Sequence, residues 1–535
     1  MDAMEKDVIV VGGGIAGMAF AERLADLAGP EVRILLFTKA PVEASNSYLA
    51  QGGVAAVVLP EDSVEEHVQD TLAVGAGRCD PHVVRLIVEE GPASIARLVG
   101  AGARFDADAQ GRLQLAREGG HSQARVVHHR DTTGAEIVRV LHQRVACDPR
   151  IRVLEHQCAL DLLMHGEGDL RRCTGLKALD IRTGEVSLYS AAAVVLATGG
   201  LGQVYRHTTN PAAATGDGIA MAIRAGVPLR DMAFVQFHPT ALYDPANGPT
   251  FLISEAVRGA GARLLHPDGA PLMQGQHPKG DLAPRNVVAR AIHRAIQGTG
   301  HPHVWLDTAP IGVEAFGRHF PNIANTCGQR GIVAGRDPIP VMPAAHYACG
   351  GIRTDDHGET ALHGLFALGE CASSGLHGAD RLASNSLLEA LVMPRRAAEA
   401  MAARKLHQPV GERGPGSGRH FTMQGIAPLA DQLIQEIKDL MTAQVGILRT
   451  TAGLQLAQQR LAAMEAACHR ALAAHRPAWA WAQVRDMAQV SGAIAASALE
   501  QRQNVGAHWC QDLADAAGAG ATGHATGPGA PVTRH

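Results

Sequence analysis

Apolar and small residues near the N-terminus follow the pattern of a strand, a turn, a helix and a second strand. Asp7–Val11 and Val32–Phe37 are rich in branched apolar residues, which is typical of parallel strands buried on both faces. Between them, a helical stretch from about Gly14 to Ala28 begins in a glycine-rich turn. This order of elements predicts the start of an α/β domain.

The pattern downstream predicts both helices and strands. Residues 64–104 have mostly helical periodicity, and Asp80-Pro81 marks a helix start because proline is tolerated in the first turn. Thr133–Glu136 has the spacing of a capping box before a further helix. Residues 151–197 have the composition of strands and end in an apolar run.

The glycine-rich turn has the spacing G-x-G-x-x-G. It lies between a predicted strand and a predicted helix, which is the context in which this motif binds a dinucleotide. Gly12 turns the chain, Gly14 lets the backbone approach a pyrophosphate, and Gly17 lets the helix pack closely on the strand. The helix N-terminus adds N–H groups and partial positive charge, so the turn predicts a dinucleotide site.

The sequence favours FAD over NAD as the dinucleotide. NAD enzymes place an acidic ribose ligand about 20 residues after the glycine turn, and this chain has Thr38-Lys39 there. Two further glycine turns, Ala197–Gly200 and Gly364–Glu370, indicate that distant strands return to the same extended ligand. Alone, Ser45–Gly53 would be a polar connecting loop, but beside the glycine turn we expect it to contact the flavin.

Composition and charge exclude several classes of protein. The 535 residues are 46% hydrophobic and 19% charged, which excludes a disordered or fibrous chain. A net charge of -4 and an aromatic content of 4% argue against a nucleic-acid partner. We find neither an apolar run long enough to span a membrane nor a signal-peptide pattern, so we expect a cytoplasmic protein without a membrane partner. Nine scattered cysteines without a CxxC motif predict reduced thiols and no metal site.

Several arginine and histidine residues lie in otherwise apolar or glycine-rich segments. Together with one glutamate, they are His238, Glu255, Arg258, Arg285, His346 and Arg381. Taken singly, each histidine is more often a structural residue and each arginine a salt-bridge partner. As a group they lack metal-ligand spacing, and arginine recognises carboxylates through paired hydrogen bonds. The group therefore predicts a site for a small dicarboxylate beside a flavin.

A set of motifs over about residues 6–450 resembles the flavoprotein family of succinate dehydrogenase and fumarate reductase. The motifs are GGGIAG (12–17), AQGG (50–53), ATGG (197–200), TGDG (215–218), QFHPT (236–240), SEAVRG (254–259), APRNVVARA (283–291), HYACGGI (346–352), GLFALGE (364–370), HGADRLASNSLLEALV (377–392) and VGILR (445–449). Two features are similar to the L-aspartate oxidase branch of that family. Asn46 stands where the dehydrogenases carry a flavin-linked histidine, and the loop Arg117–His121 contains Glu118, which the dehydrogenase loop lacks.

The resemblance implies a role for each polar residue of the site. The implied catalytic residues are Arg285, His238 and His346. Arg285 would move a proton at the substrate β-carbon, which requires a buried, cation-crowded setting that lowers its pKa. The implied substrate contacts are Glu118, Ser254, Glu255, Arg258 and Arg381, and Glu118 would face an ammonium group. The implied cofactor contacts are Gly12, Gly14, Ile15, Ala16, Gly17, Lys39, Ser45, Asn46, Ser47, Gln51, Gly52, Gly53, Asp217, Glu370, Ser386 and Leu387.

The fold implied by these patterns is α/β with four parts. We expect a Rossmann-like FAD-binding domain in two segments, 1–231 and 347–417. An α+β capping domain at 232–346 would be inserted between them, because loops rich in proline, histidine and glycine interrupt its short helices. A helical domain at 418–518 and a mobile tail at 519–535 would complete the chain.

The activity implied by the resemblance is oxidation of L-aspartate to iminoaspartate by noncovalent FAD. The electron acceptor would be O2 or fumarate, and the product would supply quinolinate synthase in de novo NAD biosynthesis. One alternative is a soluble fumarate reductase or a succinate dehydrogenase flavoprotein subunit. A second alternative is a catalytically silent flavin-binding protein, against which the intact set of arginine and histidine residues argues.

Overall fold

A computed structural model describes residues 6–245, 250–404, 414–422, 428–473 and 478–513. The predicted tail at 519–535 lies outside this range. The strands are β1 (Lys6–Val11), β2 (Val32–Thr38), β3 (Val54–Ala55), β4 (Leu115–Ala116), β5 (Val126–Val127), β6 (Ile151–Glu155), β7 (Gln157–His165), β8 (Arg172–Asp180), β9 (Glu185–Ser190), β10 (Ala193–Leu196), β11 (Leu229–Arg230), β12 (Val235–Leu242), β13 (Arg263–Leu265), β14 (Val304–Asp307), β15 (Ile339–Ala348), β16 (Gly351–Arg353), β17 (Leu365–Ala367), β18 (Ala372–Ser373) and β19 (Gly414–His420).

The helices follow in the same chain order. They are α1 (Ile15–Leu27), α2 (Val64–Val74), α3 (Pro81–Gly100), α4 (Thr133–Cys147), α5 (Asp217–Arg224), α6 (Glu255–Gly259), α7 (Arg285–Thr299), α8 (Val313–His319), α9 (Pro321–Gly328), α10 (Asn385–Ala403), α11 (Pro428–Gln444), α12 (Thr451–Leu472) and α13 (Trp479–Glu500). Short 3₁₀ turns lie at Val42–Ala44, Gly168–Leu170, Gly202–Val204, Gly280–Leu282 and Gly369–Cys371.

The central sheet is parallel throughout, with the strand order β17-β10-β1-β2-β6. Alternate residues of β1 face two different cores, because successive side chains of a strand point to opposite faces. Val8 and Val10 pack with residues of α1, α3 and α10, whereas Ile9 and Val11 pack with residues of β8, α5 and α13. The apolar strands follow from this double burial, and the predicted unit β1-α1-β2 is confirmed to within one residue at each end.

Two antiparallel sheets accompany the central one. The sheet β12-β15-β14-β13 carries helix α7 on its surface, and the sheet β19-β9-β8-β7 packs beneath β10 and β2. Two small sheets have the orders β11-β16-β18 and β3-β5-β4. Helices α11, α12 and α13 pack on one another, and α13 also packs on α5. The division into domains stays a prediction, and β19 crosses its expected boundary at residue 417.

Two predicted helix starts had different outcomes. Asp80 is the N-cap of α3 and accepts hydrogen bonds from the His82 and Val83 N–H groups, as predicted. The capping box at Thr133–Glu136 is wrong, because the N-cap of α4 is Thr132 and its side chain makes no capping bond. The Glu136 carboxylate accepts from the Arg104 N–H at 2.7 Å instead, so a long-range partner replaces the local one.

Candidate functional site: one cleft for a dinucleotide and a dicarboxylate

A single cleft begins at the carboxyl ends of the parallel strands. Val11, Thr38, Ala197 and Leu368 follow or end β1, β2, β10 and β17, and all four line it. Ligands of open α/β sheets bind in this position. The cleft continues toward β12, β15 and the start of α7, so the glycine-rich turns and the polar residues line one continuous space.

Most residues predicted from the sequence line this cleft. They are Gly12, Gly14, Ala16, Lys39, Ser45, Asn46, Ser47, Gln51, Gly52, Gly53, Glu118, Asp217, His238, Ser254, Glu255, Arg285, His346, Glu370, Arg381, Ser386 and Leu387. Ile15 and Gly17 lie in the first turn of α1, behind the lining. A side chain at Gly17 would approach the Gly12 carbonyl oxygen to 2.0 Å, so this glycine serves the packing of helix on strand. Arg258 is not among the residues that line the cleft, and its substrate contact stays a prediction.

The lining fits an extended polar ligand such as FAD. Gly12 has a φ of +120°, and a Cβ there would lie 2.0 Å from the Ala197 carbonyl oxygen, so only glycine allows this close approach. Three buried polar atoms of the lining have no hydrogen-bond partner in the described protein. They are Gln51 Oε1, Thr198 Oγ1 and Arg381 Nε. Because buried polar atoms are rarely left unpaired, these atoms indicate that a ligand completes their bonding.

Two predicted cofactor residues, Lys39 and Asp217, form an ion pair at one end of the cleft. Lys39 Nζ lies 2.5 Å from Asp217 Oδ2 and 2.8 Å from Thr215 Oγ1. Burial opposes the charge of Lys39, but Asp217 outweighs burial and raises the pKa of the ammonium group. An acidic group therefore does reach the end of β2, but it comes from the start of α5 and not from the position after the strand.

Asn46 and Glu370 meet across the middle of the cleft. Asn46 Nδ2 donates to Glu370 Oε2 at 3.4 Å, and Glu370 Oε1 accepts from the Ala348 N–H at 3.0 Å. Burial raises the pKa of Glu370 to about 7. An asparagine amide lacks the nucleophilic ring nitrogen of a histidine, and the contact of the side chain at position 46 is this hydrogen bond.

His238 and His346 form a neutral pair. Their ring centroids lie 5.0 Å apart in an edge-to-face arrangement. Burial, followed by the charges of neighbouring arginine residues, lowers the pKa of both rings well below the usual value. The Thr240 N–H donates to His238 Nδ1 at 3.2 Å, so the neutral ring of His238 carries its proton on Nε2. The His238 ring thus offers a hydrogen-bond donor at Nε2 without adding a charge.

Arg285 is the first residue of α7 and is held by two side chains. Its Nε donates to Glu255 Oε2 at 2.7 Å, and its Nη1 donates to Gln236 Oε1 at 2.9 Å. Burial disfavours the cation, but Glu255 and then Glu118 outweigh burial and raise the pKa of Arg285. The expectation of a lowered pKa is therefore wrong, because two carboxylates and not only cations surround the guanidinium.

Glu255 connects Arg285 to Arg258. Arg258 Nη2 donates to Glu255 Oε1 at 3.1 Å, and Arg258 Nη1 donates to the Asp281 carbonyl oxygen. Burial opposes the Glu255 carboxylate, but the two arginine residues outweigh burial and lower its pKa. Ser254 is the N-cap of the short helix α6, since its Oγ accepts from the Ala256 N–H. The result is a chain of charged groups leading from the cleft toward Asp281.

Glu118 is buried in the cleft and lies away from the surface. Its Oε2 accepts from Ser384 Oγ at 2.5 Å. Burial and the nearby Glu255 raise the pKa of Glu118. Behind it, Arg125 Nη1 donates to His121 Nδ1 at 3.1 Å, and His121 Nε2 lies 2.9 Å from the Ala383 carbonyl oxygen. This support holds the Glu118 loop against the turn that contains Ser384.

Arg381 is a buried cation that lacks a carboxylate partner. Its Nη1 donates to Ser386 Oγ at 2.7 Å, and its Cζ lies 4.4 Å from the centroid of the Tyr347 ring. No carboxylate of the described residues lies within salt-bridge distance of it. Burial, followed by the charge of Arg285, lowers the pKa of Arg381. A buried cation of this kind is costly without an anion, so the site favours a carboxylate ligand.

Comparisons with known proteins agree with this geometry. An FAD binding domain family model matches residues 7–387, and a fumarate reductase flavoprotein C-terminal model matches residues 434–520. The chain is 43% identical to an L-aspartate oxidase of Streptomyces coelicolor, over 96% of this chain and 90% of the relative. It is 42% identical to L-aspartate oxidase 1 of Ralstonia nicotianae, over 95% and 96% of the two chains. The chain belongs to the L-aspartate oxidase family.

The fold of this L-aspartate oxidase family member also matches solved structures. The FrdA chain of E. coli quinol fumarate reductase superposes with a TM-score of 0.84 at 30% identity, over 96% of this chain and 93% of that chain. The match confirms the predicted α/β architecture of the succinate dehydrogenase and fumarate reductase flavoproteins. Along the described part of the chain, no helix combines the length and apolarity needed to cross a bilayer. Within the same ranges, no three His, Cys, Asp or Glu side chains could together hold a metal ion.

Sequence reasoning missed several residues that shape this aspartate oxidase family site. They are Thr209, Gln236, Tyr347, Asp380 and Ser384. Gln236 and Tyr347 stand beside predicted residues in the motifs QFHPT and HYACGGI, so the motifs could have indicated them. Ser384 is a non-glycine residue with a φ of +62°, a backbone conformation that only the structure reveals. Thr209, which lies 2.8 Å from His346 Nδ1, carried no signal in the sequence.

Proposed function

We propose that this protein oxidises L-aspartate to iminoaspartate with FAD bound in the cleft. The observation that carries the proposal is that one cleft contains both a buried carboxylate, Glu118, and a buried guanidinium without a carboxylate partner, Arg381. A ligand that satisfies both needs a cationic group and a carboxylate group, as an amino dicarboxylate has. The curated relatives named L-aspartate oxidase support this choice of substrate.

The cofactor would be held mainly by main-chain groups. Gly12 and Gly14 and the loop Ser45–Gly53 would accommodate the pyrophosphate and flavin, and Lys39 with Asp217 would contact the nucleotide end. When bound there, FAD supplies the acceptor for the hydride, which carries both electrons away from the substrate. The family match to an FAD binding domain over residues 7–387 supports this assignment.

The part of the cleft lined by buried charged and histidine side chains, here called the polar half, would bind and orient the substrate. Its residues are Glu118, His238, Glu255, Arg285, His346 and Arg381. Arg381 would pair with one carboxylate, and the neutral rings of His238 and His346 would donate hydrogen bonds to the substrate. The ammonium group would pair with Glu118. In this arrangement one carboxylate would be fixed at Arg381, and the Cα and Cβ atoms would be directed toward the flavin side and toward Arg285.

Arg285 would receive the proton from the substrate Cβ. With the hydride lost from Cα, the immediate product would be the enamine, which becomes iminoaspartate when Cβ regains a proton and the nitrogen loses one. Because its pKa is raised in the free protein, it can act as a base only if its own proton moves to a partner. Glu255 accepts a hydrogen bond from Arg285 and is linked in turn to Arg258, so Glu255 would take that proton and pass it outward. The role of Arg258 would thus be proton transfer behind the cleft.

We further propose that FAD is bound noncovalently. Asn46 takes the position of the flavin-linked histidine and has no group that could form the bond. After acid precipitation, the yellow flavin should remain in the supernatant. Flavin that stays with the precipitated peptide would contradict this assignment.

The electron acceptor would be O2 or fumarate, and the iminoaspartate would be passed to quinolinate synthase for NAD biosynthesis in the cytoplasm. The likeness to a fumarate reductase over 96% of the chain supports fumarate as an acceptor. Comparing reoxidation of the reduced enzyme by O2 and by fumarate would test both acceptors.

The direct test is anaerobic mixing of the holoenzyme with L-aspartate. The flavin absorbance should bleach in a single turnover, and addition of fumarate should restore it. Succinate, which lacks the ammonium group, serves as the matched substrate and should bleach the flavin far more slowly. Equal or faster bleaching by succinate would favour the alternative, a fumarate reductase or dehydrogenase subunit.

A further inference from the structure

The segment Asn504–Cys510, here called the C-terminal clasp, follows α13 and contacts two parts of the site at once. One contact is with α7, whose first residue is Arg285. The other contact is with the chain just before Arg381. The clasp does not line the cleft. It therefore contacts the segments that hold Arg285 and Arg381 without lining the cleft itself.

The contact with α7 centres on Gly506. Its carbonyl oxygen accepts from Asn286 Nδ2 at 2.7 Å and from Arg290 Nη1 at 3.1 Å. One turn further along the helix, the Cζ atoms of Arg290 and Arg294 lie 4.5 Å and 5.6 Å from the ring centroid of Trp509. Asn286 is the immediate neighbour of Arg285, so the shortest of these bonds fixes the first turn of α7.

The contact with the Arg381 segment is equally close. The Ala507 N–H donates to the Ala379 carbonyl oxygen at 2.8 Å. Gly506 has a φ of +53°, and a Cβ there would lie 2.3 Å from that same carbonyl oxygen. Next to it, Asp380 Oδ2 accepts from the Asn286 N–H at 3.3 Å. Three main-chain segments thus meet at one point that leaves no room for a methyl group.

The clasp is also held by a hydrogen bond from Arg449. Arg449 is fully buried and donates through Nη1 to His508 Nδ1 at 2.9 Å and to the Ala233 carbonyl oxygen at 2.8 Å. Within the clasp, the Cys510 N–H donates to Asn504 Oδ1 at 2.7 Å. Arg449 follows α11, so the clasp is also bonded to the C-terminal helical region.

We propose that the C-terminal clasp is a positioning element that fixes Arg285 relative to Arg381. The two arginine residues come from elements far apart in the chain, and the bonds at Gly506 and Asn286 join those elements directly behind the site. Displacing a reacting group by about 1 Å costs on the order of 100-fold in rate, so a contact that holds the first turn of α7 controls turnover. The proposal rests on the proposed function only for the role of Arg285 in proton transfer.

The test uses two variants that disrupt the junction at Gly506 from opposite sides, one at its contact with Ala379 and one at its contact with α7. Gly506→Ala introduces a methyl group against Ala379, and Asn286→Ala removes the donor to the Gly506 carbonyl oxygen without adding bulk. Gly492→Ala is the matched control, because Gly492 lies in α13 and a Cβ added there would meet no atom within 4 Å. For each holoenzyme, kcat with L-aspartate and the Kd of succinate, read from the flavin spectrum, are measured.

We expect kcat to fall about 10- to 100-fold in each clasp variant, while the Kd of succinate changes less than about threefold. The double variant should be no more impaired than the worse of the two single variants, because either change alone releases α7 from the Arg381 segment at Gly506. The control should keep wild-type kcat. Additive losses, an equal loss in Gly492→Ala, or a Kd that rises as much as kcat falls would overturn the proposal.

Two further measurements separate this proposal from the proposed function. If Gly506→Ala does not fold, Asn286→Ala alone decides through the split between kcat and Kd. If the wild-type enzyme does not oxidise aspartate, the proposed function fails, and fumarate reduction by dithionite-reduced enzyme replaces it as the readout for the clasp. That reaction needs Arg285 but has no ammonium group to recognise.

Discussion

The two halves of the cleft recognise their ligands by different means. The half between Gly12 and Gly53, here called the glycine-rich half, presents main chain at close approach beside polar side chains such as Lys39 and Asn46. Its shape depends on glycine residues at positions where a Cβ would collide with neighbouring atoms. The other half presents buried charges, namely Glu118, Arg285 and Arg381, whose behaviour depends on their neighbours. In the first half a side chain added at a glycine is harmful, whereas in the second half a charge removed is harmful.

The largest effect is expected from a substitution at Gly12. In Gly12→Ala the new methyl group would overlap the Ala197 carbonyl oxygen, and its φ of +120° disfavours any side chain, so we expect loss of bound FAD and of all activity. Gly492→Ala is the control, because Gly492 lies in α13 away from the cleft and a Cβ there meets no atom within 4 Å. Flavin content after gel filtration measures both. Equal flavin content in the two variants would contradict the role of close approach.

The polar half should respond to Arg285→Leu without loss of flavin. General acid–base catalysis contributes about 10²–10⁴-fold, so aspartate oxidation and fumarate reduction should both fall by up to about 10⁴-fold. Succinate should still perturb the flavin spectrum, because Arg381 and the two histidine residues remain. Near-normal kcat in either direction would assign the proton transfer to another residue.

Arg381→Leu should affect substrate capture more than chemistry. Removing one partner of a buried charge pair costs about 2–5 kcal/mol, which corresponds to a fall in kcat/KM of about 30-fold to a few thousand-fold. Arg381→Lys keeps the charge but loses the planar guanidinium that bonds Ser386 and would bond a carboxylate. Its kcat/KM should therefore lie between those of the wild type and of Arg381→Leu. Unchanged kcat/KM in the leucine variant would rule out the carboxylate contact.

Glu118→Gln should separate aspartate from dicarboxylates that lack an ammonium group. Hydrogen bonds to charged groups are worth about 1.5–3 kcal/mol, so aspartate oxidation should fall about 10- to 150-fold. Fumarate reduction by the same variant is the internal control and should be retained. Because burial raises the pKa of Glu118, the affinity of the wild type for aspartate should fall as the pH drops toward that pKa. An equal loss of both activities would disprove the ammonium contact.

The smallest effect concerns the scaffold behind Glu118. Burial lowers the pKa of His67 to about 3 and that of His121 to about 4, below the usual 6.5. Between pH 6.5 and 4 the unfolded chain binds more protons than the native one, so stability is lost as the pH falls through this window. From pH 7 to 5 the two groups should lower the free energy of unfolding by on the order of 2–4 kcal/mol. Chemical denaturation at both pH values measures the loss, and His121→Gln should reduce it.

The fold and the glycine-rich half could be predicted because their signals are local. The spacing of Gly12, Gly14 and Gly17 between a strand and a helix defines a backbone shape whatever follows in the chain. Motifs also indicated most residues of the polar half. Their electrostatics could not be predicted, because the carboxylates that raise the pKa of Arg285 come from Glu118 and Glu255, and only the folded chain brings them together. The hydrogen bond from Arg258 to Glu255 could not be predicted for the same reason.

The order of strands in the central sheet has a consequence for synthesis of the protein. Strand β10 ends at Leu196, but its outer neighbour β17 begins only at Leu365. A nascent chain emerging from the ribosome therefore exposes the open edge of β10 until the whole antiparallel sheet β12-β15-β14-β13 has been made. Unpaired strand edges template aggregation, so we expect a growing chain to be most prone to aggregation in this interval. The cleft, which β17 completes, cannot retain flavin before then.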